Sequence, residues 1–156
     1  REAIAVFGEP YYMGLLHYYL LPQLLNNYGR PSSVLVAPWP HDPFLDADYD
    51  PFSVVVIYLD LGIMAEYIAP NEMDGDYYRT CPLQGYLTLR TWDPNQVISL
   101  ENIAAMGAGV GISETSFGYF KPVEEVTSMS LEEFYRTFTD AQNTSCLETP
   151  VGLWDP

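Results

Sequence analysis

Seven residues constrain this chain's fold more than any others. Ser53–Leu59 reads SVVVIYL, a β-branched run with almost no alternation of apolar and polar positions. Such a run suits a strand buried on both of its faces. The other segments are read around it.

Ala3–Phe7 (AIAVF) and Ser33–Ala37 (SVLVA) are two further short apolar runs, ended by Gly8 and Pro38. Both read as strands. Between them, Pro10 stands where a first helical residue belongs, and Glu9 brings the charge a helix N-terminus favours. Tyr11–Asn27 is then predicted as a helix, apolar on nearly all sides and therefore buried or at an interface. Pro22 is expected to kink or split it, and Gly29 and Pro31 to stop it. Leu61–Ile68 reads as a short helix ended by Pro70.

The second half is less regular. Asn71–Asp76 is a polar turn region, and Tyr86–Trp92 alternates as a half-solvated strand does. Asp93-Pro94-Asn95 marks a turn, with Gln96–Ser99 as a return strand or Ser99 as the cap of a helix through Met106. Thr115–Phe120 reads as another strand. Ser130-Leu131-Glu132-Glu133 is a capping box opening a helix over Leu131–Ala141, with Leu131, Phe134 and Phe138 on one face. The expected architecture is one domain over residues 1–156, α/β or α+β. It has a mixed β-sheet, an N-terminal strand–helix–strand unit with a parallel pair, and flanking helices.

Charge decides which partners are excluded. The chain carries 21 acids against 6 Lys and Arg, a formal charge of −15. Nucleic acid and anionic membrane surfaces both need a basic footprint, and the six cations are scattered. A cationic ligand, a metal ion or a basic protein surface is electrostatically permitted, and the partners expected are a protein or a copy of the chain, with a small-molecule ligand as a further candidate. The plainer reading is that high charge keeps the chain soluble. The longest apolar stretch, Pro51–Pro70, is interrupted by Asp60 and Glu66, so no membrane-spanning helix is expected.

Cys81 and Cys146 permit one disulfide, with two buried free thiols as the alternative. Asn143-Thr144-Ser145 is a glycosylation sequon. The chain starts at Arg1 with no visible signal peptide, so a processed or trimmed chain is expected. Scarce lysine and abundant Tyr and Pro add to an expectation of an extracellular or cell-surface protein, with a cytoplasmic one as the alternative.

Three constellations are candidates for chemistry. Ligands of open α/β sheets sit beyond the carboxyl ends of parallel strands. If the first three strands are parallel, Glu9, His41, Asp42 and Asp60 converge there, with His41 as a general base oriented by a carboxylate. Trp39 and Tyr11 would line an apolar wall, and Tyr11 and Tyr12 would suit a ligand or partner. The plainer reading makes these acids helix and turn signals. Asp46, Asp48 and Asp50 form an alternating set able to offer oxygens to Ca²⁺, although the EF-hand pattern fails at Pro51 and Ile57. No other cofactor is expected. The glycines at 107, 109 and 111 lack the dinucleotide spacing, because Ile112 stands where the third glycine belongs.

The leading functional expectation is a secreted or cell-surface binding or assembly module, acidic, tyrosine-rich and non-catalytic. The alternative is a small enzyme using His41 with Glu9, Asp42 or Asp60.

Overall fold

The SVVVIYL run lies in the interior of a six-stranded sheet. The structure, a computed structural model, describes residues 4–5, 17–38, 51–84, 86–95 and 120–154. Its strands are β1 (Ile4–Ala5), β2 (Ser33–Pro38), β3 (Pro51–Tyr58), β4 (Ile63–Pro70), β5 (Glu72–Asp74), β6 (Tyr77–Thr80), β7 (Tyr86–Thr91), β8 (Lys121–Pro122) and β9 (Leu147–Pro150). Its helices are α1 (Leu21–Tyr28), α2 (Val123–Val126) and α3 (Leu131–Phe138). The large sheet has the order β1-β7-β4-β3-β2-β8, and a small one has the order β5-β6-β9.

Every described strand pair is antiparallel. The fold is therefore α+β with two antiparallel sheets, and the expected mixed sheet with a parallel N-terminal pair is corrected. β1 lies against β7, and β2 runs antiparallel to β3. The pairing that follows β3 is set by the segment after it. A tight turn at Leu59–Leu61, closed by Gly62 at φ 63°, sends the chain straight back. Antiparallel neighbours need only such a turn, whereas a parallel pair needs a long crossover. Ile63–Pro70, part of which was expected to be helical, becomes β4 and pairs with β3 along its whole length. Pairing with a buried neighbour overrides local helical preference there.

β3 is buried on both faces from Phe52 to Tyr58, as its sequence predicts. On the first face, Val54, Val56 and Tyr58 join Val34, Val36, Ala65, Tyr67 and Leu87 in the main core. Leu21, Leu24 and Leu25 of α1 and Phe134 and Phe138 of α3 cover them. On the second face, Leu35, Ala37, Val55, Ile57 and Met64 pack with Phe120.

The helices follow their end signals more closely than their expected lengths. α1 begins only at Leu21, after a turn at His17–Tyr19, and Pro22 sits in its first turn. Proline is tolerated there because that N–H has no intrahelical partner to lose. So Pro22 stands at the start of α1, while Tyr11–Leu16, the first part of the predicted helix, lies outside the described residues. Gly29, at φ 76°, ends α1 through its N–H to the Leu25 carbonyl. His17 and Tyr18 are exposed, so of the two expectations for this segment, burial or an interface, burial is not met at these residues. α3 has the predicted capping box and stops at Phe138, with the Phe134 and Phe138 rings 4.8 Å apart. Two buried tyrosines tie the sheet to the α1 region. Tyr58 Oη donates to the Gly29 carbonyl at 2.7 Å, and Tyr67 Oη to the Tyr19 carbonyl at 2.6 Å.

The small sheet grows out of the β4–β7 pair. β4 leads into β5 across Asn71, Gly75 turns the β5–β6 hairpin, and β6 leads back towards β7. The Cys81–Cys146 disulfide closes the base of this sheet, next to the Thr80–Leu147 pair. With a sequence separation of 65, it stabilises the fold by about 4 kcal/mol in the chain-entropy model. Among the described residues, no helix is long and apolar enough to cross a membrane.

Gly62 and Gly75 share a left-handed φ but differ in surroundings. A Cβ on Gly62 would lie 2.1 Å from the Trp92 carbonyl oxygen, whereas one on Gly75 meets nothing within 4 Å. Gly75→Ala should lose about 1 kcal/mol, the penalty of the backbone conformation alone. Gly62→Ala should lose clearly more, because the β4–β7 end must also shift. Urea unfolding of the two variants checks this, and equal losses would contradict the close approach.

Candidate functional site

The second face of the large sheet holds the buried charges. Residues paired across antiparallel strands share a face, and side chains alternate along each strand. Val55, Glu66 and Thr88 form one cross-strand row, and Ile57, Met64 and Arg90 form the next. Ser53 is one step further along the same face of β3. Ser53, Glu66, Thr88 and Arg90 are thus polar positions on a face otherwise occupied by Val55, Ile57 and Met64.

Glu66 is 4% exposed and Arg90 is 6% exposed. They lie diagonally across β4 and β7, a spacing of roughly 7–8 Å between backbones. The Glu66 carboxylate accepts a hydrogen bond from the Ser53 hydroxyl. Burial pushes the Glu66 carboxyl above its usual range, and the Ser53 hydrogen bond and the Arg90 charge only partly offset this. Burial likewise lowers Arg90, against the attraction of Glu66. Desolvation is the largest influence on both groups. Among the described residues, Nε and Nη2 of Arg90 have no hydrogen-bond partner. The guanidinium and the carboxylate therefore attract one another through space, without those two donors being satisfied.

Sequence reasoning missed this cluster. It registered Glu66 only as an interruption of an apolar stretch, and Arg90 only as one of six scattered cations, within a segment that alternates as a half-solvated strand does. Alternation tells which residues share a face. It does not tell whether that face is covered. The available signal was a charged residue central in each of two segments, IMAEYIAP and YLTLRTW, flanking the strand buried on both sides.

Of the residues proposed from sequence, Asp60 is exposed in the turn after β3. Glu9, Tyr11, Tyr12, Trp39, His41, Asp42, Asp46, Asp48 and Asp50 lie outside the described residues, as do the glycines at 107, 109 and 111. The strand geometry behind the acid–base constellation is corrected for β2 and β3. Pro38 pairs with Phe52 and Ser33 with Ile57, so the carboxyl ends of these strands lie at opposite edges. Among the described residues, no group of three or more His, Cys, Asp or Glu could hold a metal ion.

The tyrosines divide into two kinds. Tyr58 and Tyr67 are buried and their hydroxyls are pushed up, by burial first and by neighbouring tyrosines second. Tyr18 and Tyr77 are exposed. In the sequon, Asn143 Nδ2, the atom that would carry a glycan, donates to the Thr137 carbonyl at 2.6 Å. Comparison with protein-family models, with curated proteins and with solved structures finds no match for this chain.

Glu66 gives the protein an unusual pH signature. Its folded pKa lies above the unfolded value of 4.5, so its contribution to stability is present below that value and lost as pH rises through the folded one. Glu66→Gln keeps the shape and removes the titration. The stability of Glu66→Gln relative to wild type should rise as pH increases above the unfolded value of 4.5, as read from urea unfolding. Parallel profiles for the two proteins would refute the assignment.

Proposed function

We propose that this chain is a secreted or cell-surface binding module, acidic, tyrosine-rich and non-catalytic. It holds a protein partner with a basic surface. The observation that carries the reading is the tip of the β5–β6 hairpin. Met73 is 67% exposed on one face of the hairpin and Tyr77, paired with Asp74, is 47% exposed on the other, beside the exposed acids Glu72, Asp74 and Asp76, so a partner would wrap the tip and touch both faces. Large apolar side chains within a charged rim are the usual make-up of an interface, where Tyr and Met are enriched.

Two further features support it. The Cys81–Cys146 disulfide holds the base of the same sheet, so the tip is presented on a cross-linked support. Disulfides of this kind persist in oxidising compartments and are rare in reducing ones. The −15 charge favours encounter with a cationic surface over encounter with a second copy of the same chain.

An immobilised Lys/Arg-rich peptide serves as the probe, with binding measured by interferometry at low and raised salt. Met73→Ser/Tyr77→Ser should weaken binding by about tenfold or more, the effect of losing interface anchors. Tyr18→Ser, on a different part of the surface, should leave it unchanged. Equal weakening by both, or none from the hairpin pair, contradicts this reading.

A further inference from the structure

The Arg90 guanidinium carries an observation that partner binding does not use. Nε and Nη2 are the two nitrogens left without partners, in a residue only 6% exposed. They form one edge of the guanidinium, with two roughly parallel N–H donors. That edge matches the two oxygens of a carboxylate, the bidentate pairing for which arginine is suited and lysine is not. Leaving such donors unpaired in a buried site is costly, so they mark a place where an acceptor gains more than it would in water.

The neighbours narrow the acceptor. Glu66, on the same face, already brings a carboxylate, held by Ser53. A doubly charged phosphate would set two further negative charges beside it, and a carboxylate only one. Met64 pairs directly with Arg90, and Ile57 with Met64, so Arg90 ends a cross-strand row of apolar residues on that face. This combination suits an acid head with a small apolar body. Arg90 stands one residue from the end of β7, at the sheet end formed by the Leu59–Gly62 turn.

We propose that Arg90, with Glu66 and Ser53 as its polar surroundings, is a binding site for a small carboxylate with an apolar body. The site is separate from the hairpin tip and does not depend on it.

Benzoate and acetate are the probes, with benzamide as the neutral counterpart of benzoate and inorganic phosphate as the rival anion. Two readouts are used on the full chain. Titration of wild type followed by ¹⁵N NMR should shift the Arg90 Nε–H resonance saturably with benzoate, more weakly with acetate, and not with benzamide. Arg90→Lys keeps the charge and loses the fork, and benzoate affinity should fall by about tenfold or more. Met73→Ser/Tyr77→Ser should bind benzoate as wild type does. The proposal is overturned if neither carboxylate moves the Arg90 resonance, if phosphate moves it and benzoate does not, or if benzamide matches benzoate. The NMR arm needs no variant, so poor folding of Arg90→Lys does not remove the test.

Discussion

Everything in this structure follows from burying one strand on both sides. β3 has almost no polar side chain to give to water, so the large sheet needs a layer on each face. On the first face, α1 and α3 supply that layer with leucine and phenylalanine. The tyrosines there are amphipathic in use. Tyr58 and Tyr67 bury their rings and spend their hydroxyls on backbone carbonyls near α1, which keeps the helix ends hydrogen-bonded.

The second face obeys the same constraint with a different composition. Its aliphatic residues continue the logic of β3, but Ser53, Glu66 and Arg90 do not. A buried pair of opposite charges is a weak source of stability, because removing two ions from water offsets their attraction. Here desolvation prevails at both partners. Aliphatic residues at both places together would pack as well, with less penalty, whereas one alone would leave the other charge buried without its counter-charge. The small sheet, by contrast, earns its stability from a covalent bond at its base and keeps acids along its outer strand. Glu72 and Asp74 on that edge also discourage strand addition by an unselected partner.

Local signals with a fixed geometric meaning were readable from the sequence. The β-branched run of β3, the capping box of α3 and the Gly29 stop of α1 each act within a few residues, and each appears where its pattern stands. What depended on distant pairing was not readable. Ile63–Pro70 has no strong strand signal of its own and becomes β4 because β3 lies beside it. Pro22 has one meaning inside a helix and another in its first turn, and only the start at Leu21 decides between them. The same gap hid the site. Arg90 stands in an alternating strand that looks half-solvated, and its burial comes from what lies over the sheet. The loop from Trp39 to Asp50, which drew most of the sequence-based chemistry, lies outside the described residues, and the candidate site stands instead on three strands.

The central claim is that the second face of the sheet holds a charged pair dominated by desolvation. The most direct measurement is the titration of the Glu66 side-chain carboxyl carbon by ¹³C NMR. A midpoint above the ordinary glutamate value of 4.5 is predicted. A midpoint at or below that value would mean that solvent or a close ion pair stabilises the charge, and would contradict the account.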